Sequence, residues 1–267
     1  MLICRVQARI RGFLMRRKYR VMQLNSQNVS KYFKAEEAKE TLSSEPYDAS
    51  LPLKQRTHNY KNGAIYTGQW RGGMRFGNGT MIWPDGGRYE GEWKFNQACG
   101  RGKIFHTDGD TYDGEWSNNK ANGKGVYINV RNARYEGQWK DDLQHGKGHE
   151  TWPEGASFEG DYVMSRKEGL GRYTWADGST YEGQWVDNKI NGFGTYLWRD
   201  GRKYYGQWIN NDMSGYGIYI YADGIRYDGQ YLNDKKEGYG VYYWTDGRKY
   251  EGYWHKGKQH GLGTYVA

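Results

Sequence analysis

The stretch Tyr181–Lys203, YEGQWVDNKINGFGTYLWRDGRK, is the clearest copy of a 23-residue unit from which most of the chain is built. The unit recurs without insertion or deletion. Its opening aromatic residue falls at Tyr66, Tyr89, Tyr112, Tyr135, Phe158, Tyr181, Tyr204, Tyr227 and Tyr250. A repeat of fixed period in this range is typical of proteins built as arrays of one structural unit.

Positions within the unit are numbered here from zero at the opening aromatic. Aromatic, glycine and aromatic residues stand at positions zero, two and four, and every copy has glycine at positions two, eleven and thirteen. Alternation with a period of two places such side chains on one face of a strand. Turn residues such as Asp187-Asn188 separate the two strands, and pairs such as Asp200-Gly201 separate successive units. Each unit therefore predicts a β-hairpin.

Nine hairpins joined by tight turns predict an elongated, single-layer antiparallel β-meander. Such a sheet has no second layer to cover its apolar face. Glycine removes a side chain, so a ring on a neighbouring strand can lie over bare backbone. Tyrosine and tryptophan suit this packing because they bury a large area and keep one polar atom for a partner. The chain contains 26 Tyr, 12 Trp and 40 Gly, which fits this arrangement.

The pattern resembles the MORN repeat, whose signature is a Tyr-x-Gly-x-Trp strand, a short turn and a Gly-x-Gly strand. The resemblance covers residues 66–267 as eight full repeats and a partial ninth. It implies an all-β MORN ribbon whose groove or edge binds protein partners. The aromatic residues expected to line the groove are Tyr66, Trp70, Trp93, Trp116, Trp139, Trp185, Trp208 and Trp254.

The excess positive charge of the chain lies in the residues before the repeats. The formal net charge is +8, and residues 1–65 contain 13 Lys or Arg against five Asp or Glu, whereas the repeats contain equal numbers of each sign. Nucleic-acid binding by the sheet would need a stripe of one sign, so we expect no nucleic-acid partner there. No apolar run approaches the ~20 residues that span a bilayer.

Residues 1–24 predict a basic amphipathic helix, which forms an α-helical arm in front of the sheet. Part of it resembles the IQ motif, and the residues that fill the motif are Val6, Gln7, Arg11, Gly12 and Arg16. The resemblance implies binding of calmodulin or a calmodulin-like EF-hand protein. Val6 would enter an apolar pocket, and Gln7 would hydrogen-bond to backbone at its rim. Arg11 and Arg16 would meet acidic side chains, while Gly12 would permit close approach.

Other interpretations of the arm stay open: a helix that docks on another partner or on the sheet itself, a nucleic-acid-binding arm, or a mitochondrial transit peptide. Residues 25–65 predict a connector with a possible short helix over Ser30–Leu42. Pro46 and Pro52 prevent a continuous helix into the sheet. A strand beginning in His58–Gly63 would cap the exposed edge of the first repeat.

The sequence contains no pattern of a catalytic nucleophile, a phosphate-binding loop or a metal site. His145 and His149 are four residues apart, but in a strand this spacing does not form the helical metal-binding pair. Cys4 and Cys99 show no pairing or metal spacing, which favours a reducing compartment. We expect no enzymatic activity, no cofactor and no metal.

A MORN ribbon that carries an IQ helix most resembles the axonemal radial-spoke and cytoskeletal scaffolds of ciliated cells. The expected protein is therefore a cytoplasmic structural scaffold of the cilium or flagellum axoneme or of the cytoskeleton, with other axonemal or cytoskeletal proteins on its groove or edge. Two alternatives stay open. One is a membrane-associated, phospholipid-binding adaptor that acts through the basic arm. The other is a regulatory subunit of a separate enzyme.

Overall fold

The computed structural model describes residues 32–33, 40 and 47–267. These residues contain 19 strands, and they fall into two compact units, one ending at Pro153 and the other spanning Glu154–Ala267. In each unit the strands pair antiparallel with their neighbours in chain order. The open antiparallel β-meander that the sequence predicts is thus confirmed. The helical arm over residues 1–24 lies outside the described residues.

The first unit contains nine strands: β1 (Lys54–Asn59), β2 (Ile65–Arg71), β3 (Met74–Ile82), β4 (Arg88–Lys94), β5 (Gln97–Phe105), β6 (Thr111–Ser117), β7 (Lys120–Ile128), β8 (Arg134–Lys140) and β9 (Leu143–Thr151). The second unit contains ten: β10 (Ser157–Val163), β11 (Arg166–Thr174), β12 (Thr180–Val186), β13 (Lys189–Leu197), β14 (Lys203–Ile209), β15 (Asp212–Ile220), β16 (Arg226–Leu232), β17 (Lys235–Tyr243), β18 (Lys249–His255) and β19 (Lys258–Val266). Strand β1 pairs with β2 and begins earlier than the sequence suggested.

The two strands of each hairpin are joined by a two-residue turn. In the sixth repeat, Asp187 and Asn188 have φ values of +47° and +65°, as in a type I′ turn, whose twist matches that of the flanking strands. Asn and Asp tolerate this left-handed conformation better than most residues. The turn also fastens the preceding repeat, because Asn188 Oδ1 accepts a hydrogen bond from the Lys167 backbone N–H at 2.6 Å. The Asn188 N–H donates to the Lys167 carbonyl at 3.1 Å.

Successive hairpins are joined by a different turn. The Trp198 N–H donates to the Arg202 carbonyl at 2.9 Å, and the Gly201 N–H donates to the Trp198 carbonyl at 3.0 Å. These bonds enclose a three-residue loop in which Gly201 has a φ of +90°. Asp200-Gly201 is therefore a turn, as the sequence predicts, but it closes a three-residue loop with a glycine bulge instead of a two-residue type I′ turn.

The glycine at position eleven has a role that the sequence reading missed. Gly192 has a φ of +68°, and the pairing register of β12 with β13 shifts between Gly183 and Trp185. The chain therefore forms a bulge at Gly192. The Phe193 N–H at this bulge donates to the Gln184 side-chain oxygen at 2.8 Å. Steric relief beneath a ring, which the sequence suggested for both glycines of each pair, applies to position thirteen; at position eleven the backbone conformation requires glycine.

Candidate functional site: the ring-lined inner face

The inner face is defined as the side of each sheet that carries the rings of positions zero and four. These rings pack edge to face along the sheet. The Tyr181 ring lies 5.5 Å from that of Trp185 in its own repeat and 5.7 Å from that of Trp208 in the next, with interplanar angles of 83° and 85°. Aromatic pairs favour this geometry because the positive ring edge meets the negative ring face. The contacts therefore join each repeat to its neighbour.

Each ring also places its polar atom against the backbone. The Trp185 indole N–H donates to the Gly171 carbonyl of the preceding repeat at 3.1 Å, and the Tyr181 hydroxyl donates to the Gln184 carbonyl at 3.1 Å. Burial raises the pKa of Tyr181 well above its ordinary range. The hydroxyl therefore stays protonated and keeps its donor role.

Of the eight rings expected to line a groove, five lie on the inner face of the first unit and three on that of the second, and all are buried. Their exposed fractions run from 0% at Tyr66 to 7% at Trp254. The others lie between these values, namely Trp70, Trp93, Trp116, Trp139, Trp185 and Trp208. They form the core of the sheet, so a partner on this face would meet the residues that flank them.

In the second unit those flanking residues form a continuous row of rings at positions fifteen and seventeen, which we call the rim row. Consecutive ring centroids lie 4.4–6.2 Å apart. The rings at position seventeen are half-buried. The rim row comprises Tyr173, Trp175, Tyr196, Trp198, Tyr219, Tyr221, Tyr242 and Trp244. The sequence analysis did not single these residues out as a surface.

In the first unit the inner face holds a segment of the connector. The Phe33 ring lies 5.4 Å from the rings of Tyr89 and Trp116 and 5.3 Å from that of Trp83. The Tyr32 ring stacks on Trp83 at 4.7 Å. Neither residue is helical, whereas the sequence allowed a short helix through this segment. An aromatic pair in a polar connector was the only sequence signal of this contact.

The composition of position fifteen explains why Phe33 lies where it does. On the two strands that flank Tyr89, a ring contacted by Phe33, this position holds Met81 and Ile104. In the second unit it holds tyrosines, and the Tyr196 ring lies 6.1 Å from Trp208. Where position fifteen is tyrosine, the ring of the repeat itself covers the inner face. Where the repeat supplies a smaller aliphatic residue, a ring from the connector packs instead.

Replacing Phe33 by alanine should release the connector from the inner face, because the side chain loses its contacts with four rings. We expect tryptic cleavage at the neighbouring Lys31 and Lys34 to accelerate about tenfold, which corresponds to about 1.4 kcal/mol of opening free energy. The control is Tyr47→Ala, since Tyr47 packs against Phe76 and Phe95 instead. Equal cleavage rates for Phe33→Ala and the unmodified chain would contradict this docking.

A half-buried cation lies against the rings of the inner face in the second unit. The Lys236 ammonium is 4.1 Å from the centroid of Tyr242, 4.5 Å from that of Trp254 and 4.6 Å from that of Tyr227. Burial lowers the pKa of Lys236 to about 7. The facing rings attract the charged form and offset part of the cost of its burial. The residue thus packs against the core rings.

The remaining chemical features are sparse. Within residues 32–33, 40 and 47–267, no three His, Cys, Asp or Glu side chains are grouped as a metal site. His145 and His149 both lie in β9. The described part of the chain contains no helix with the length and hydropathy of a membrane span. The predicted calmodulin-binding residues lie outside the described residues, and they are Val6, Gln7, Arg11, Gly12 and Arg16.

Comparison with known proteins identifies the repeats. The family model for the MORN repeat matches residues 66–88, 89–111, 112–130, 135–157, 158–180, 181–201, 204–226, 227–247 and 250–266. No curated protein matched the chain.

Solved structures with similarity include the wild-type TCP10 domain of Danio rerio CPAP, with a TM-score of 0.43, 11% identity, and coverage of 78% of this chain and 99% of that chain. Another is the SAS-4 (dCPAP) TCP domain of Drosophila melanogaster in complex with a proline-rich motif of Ana2 (dSTIL). It has a TM-score of 0.37, 13% identity, and coverage of 70% and 98%. The nine matched segments cover most of the sequence, and the chain belongs to the MORN repeat family.

Proposed function

We propose that this MORN repeat protein is a non-enzymatic scaffold of an axonemal assembly, a radial spoke or related ciliary structure, or of the cytoskeleton. Its sheet binds protein partners, and its N-terminal helix binds a calmodulin-like protein. The observation that carries the proposal is the seating of Tyr32 and Phe33 on the inner face of the first unit. A face that holds one short polypeptide segment through ring contacts is suited to holding others.

The chemistry of the rim row supports the same function. Tyrosine and tryptophan are enriched at protein interfaces because a rigid ring buries a large area at low entropic cost and keeps a polar atom for the partner. In the rim row the Trp175 and Trp198 rings are half-buried and remain partly open to solvent. The repeats of this unit thus offer a series of similar ring contacts to an extended partner.

The calmodulin part of the proposal rests on the complete IQ pattern in residues 1–24. We expect the full chain to bind calmodulin or a calmodulin-like protein, and the double variant Gln7→Ala with Arg11→Ala to weaken this binding at least about 100-fold, as expected when two anchor residues are removed. Titration calorimetry with and without calcium measures both affinities. The control is Gln23→Ala with Arg20→Ala, which leaves the IQ pattern intact and should retain most of the affinity.

Two results would contradict the proposal. One is the absence of calmodulin binding by the unmodified chain under both calcium conditions. The other comes from detergent extraction of ciliated cells. We expect the tagged chain to remain with the axoneme or cytoskeleton together with its calmodulin-like subunit. Recovery of the chain only in the soluble fraction would argue against a structural role there.

A further inference from the structure

The outer face of the second unit, which lies opposite the buried rings, carries a row of large apolar side chains. One residue stands at position twelve of each repeat, on alternate strands from β11 to β19. The exposed fractions of these residues run from 46% to 84%. We call this set the apolar row, and it comprises Leu170, Phe193, Tyr216, Tyr239 and Leu262.

A second row runs beside it, at position five of the repeats. Its residues lie in β10, β12, β14 and β16, close to the two-residue turns. They are Val163, Val186, Ile209 and Leu232, with exposed fractions of 42–55%. The outer face of the second unit is therefore apolar along two parallel lines.

The fold itself does not require these apolar residues. In the first unit, position twelve holds Asn78, Arg101, Lys124 and Lys147, and position five holds Arg71, Lys94, Ser117 and Lys140. The two strands of each repeat have seven and nine residues in both units, and the register shifts beside the glycine of position two in both. Because polar side chains at the same positions are compatible with the same hairpin, packing within the sheet does not explain the change to leucine, phenylalanine and tyrosine.

We propose that the two rows form the interface between two copies of this chain, related by a two-fold axis parallel to the strands. Rotation about such an axis reverses the order of the repeats but keeps each row at its own height along the strands. With the axis at Tyr216, the apolar row meets itself along its whole length. At position five, Ile209 meets Leu232 of the other copy, and Val186 faces His255. In a two-fold interface the same patch contacts itself, as the apolar row does about its central residue, Tyr216.

The alternative two-fold axis, along the rows, gives a poorer match. With the axis along the apolar row, position five of one copy would face position one of the other. Position one holds acidic residues such as Glu182 and Glu251. Valine and leucine side chains would then cover carboxylates. The axis parallel to the strands avoids this cost.

The available area is sufficient for a stable dimer. Three of the five residues in the apolar row are aromatic, and aromatic side chains bury ~150–250 Å² each when fully covered. Together with Ile209 and Leu232 of position five, the half-exposed side chains reach the order of the ~800 Å² per partner that stable interfaces bury. Interfaces between identical subunits are also more apolar than other interfaces. A second copy therefore fits this face without any need for charge complementarity.

Sedimentation velocity on the full chain tests the proposal. The unmodified chain should sediment as a dimer at micromolar concentration, and the double variant Phe193→Glu with Tyr216→Glu should raise the dimer dissociation constant at least about 100-fold. The matched control changes the same position in the first unit, Arg101→Glu with Lys124→Glu, and should remain dimeric. Circular dichroism and thermal melting check that both variants are folded.

Disulfide crosslinking tests the orientation and does not depend on the charged variants. In a chain with Cys4→Ser and Cys99→Ser, Tyr216→Cys should crosslink to its own copy, since this residue is the centre of the apolar row. Leu170→Cys should crosslink to Leu262→Cys in a mixture of the two, and neither should crosslink to itself.

A chain that sediments as a monomer at all concentrations would overturn the proposal. A dimer that the glutamate variants leave intact, or crosslinks of Leu170→Cys only to itself, would also overturn it.

Discussion

Replacing Gly194 by valine should lower the free energy of unfolding by about 3 kcal/mol. A Cβ at Gly194 would lie 2.5 Å from carbons of the Tyr181 ring and would also clash with its hydroxyl oxygen. Tyr181 is fully buried. Its ring cannot move aside without losing the edge-to-face contacts with Trp185 and Trp208. Urea unfolding of the full chain, followed by circular dichroism, measures the change.

Two matched variants separate ring displacement from other effects of valine. Thr195→Val changes the next residue, which lies on the outer face, and should alter the free energy of unfolding by less than about 0.5 kcal/mol. In a chain that already carries Tyr181→Leu, Gly194→Val should cost markedly less, because no aromatic ring then covers the glycine. An unchanged urea midpoint for Gly194→Val would contradict the packing of rings over bare backbone.

Replacing Lys236 by methionine should stabilise the protein by about 2 kcal/mol at pH 6. Methionine has a similar volume and needs no hydration, whereas the Lys236 ammonium is enclosed by the rings of Tyr227, Tyr242 and Trp254. Within the described residues, no carboxylate forms an ion pair with it. The cation–π attraction offsets part of the burial cost, so the expected gain is smaller than the full pKa shift implies.

The same substitution should change the pH dependence of stability. The pKa of Lys236 falls from about 10.5 to about 7 on folding because the side chain is buried. Between these pH values the unfolded chain binds more protons than the folded one, so the stability contributed by this group rises with pH across the window. The methionine variant should lose this rise, and the difference between the two proteins should disappear near pH 10.

Urea unfolding at pH 6 and pH 9.5 measures this effect. The control is Lys249→Met, whose ammonium pairs with Glu251 at 3.1 Å outside the ring cluster. This control should follow the pH slope of the unmodified chain. A Lys236→Met variant that is less stable than the unmodified chain at pH 6 would show that the cation–π contacts outweigh the cost of burying the ammonium.

Much of the fold follows directly from the repeat, although glycines at different positions of the repeat have different structural roles. The glycines at positions eleven and thirteen look equivalent in the sequence. Gly192 permits a positive φ at a bulge, whereas Gly194 leaves room for the Tyr181 ring. The two roles differ because the bulge shifts the pairing register with the preceding strand, and no local pattern in the sequence marks such a shift.

The candidate site was less predictable than the fold. The sequence predicts that Trp185 and Trp208 share one face; in the structure both rings are buried among their neighbours. The surface differs with position fifteen: the second unit holds tyrosines there, whereas Met81 and Ile104 flank the Tyr89 ring that Phe33 contacts. The packing of Phe33 against Trp116 cannot be inferred from local spacing, because the two residues are 83 positions apart in the sequence.

The sequence by itself determined the all-β class, the hairpin as the unit and the face on which each ring lies. It could do so because a period of two within a strand and a period of 23 along the chain are local properties. Only the tertiary structure decided which rings are buried, where the connector docks and which outer rows stay exposed. These features depend on contacts between repeats, such as the hydrogen bond from Trp185 to Gly171, and such contacts form only when the strands are assembled into a sheet.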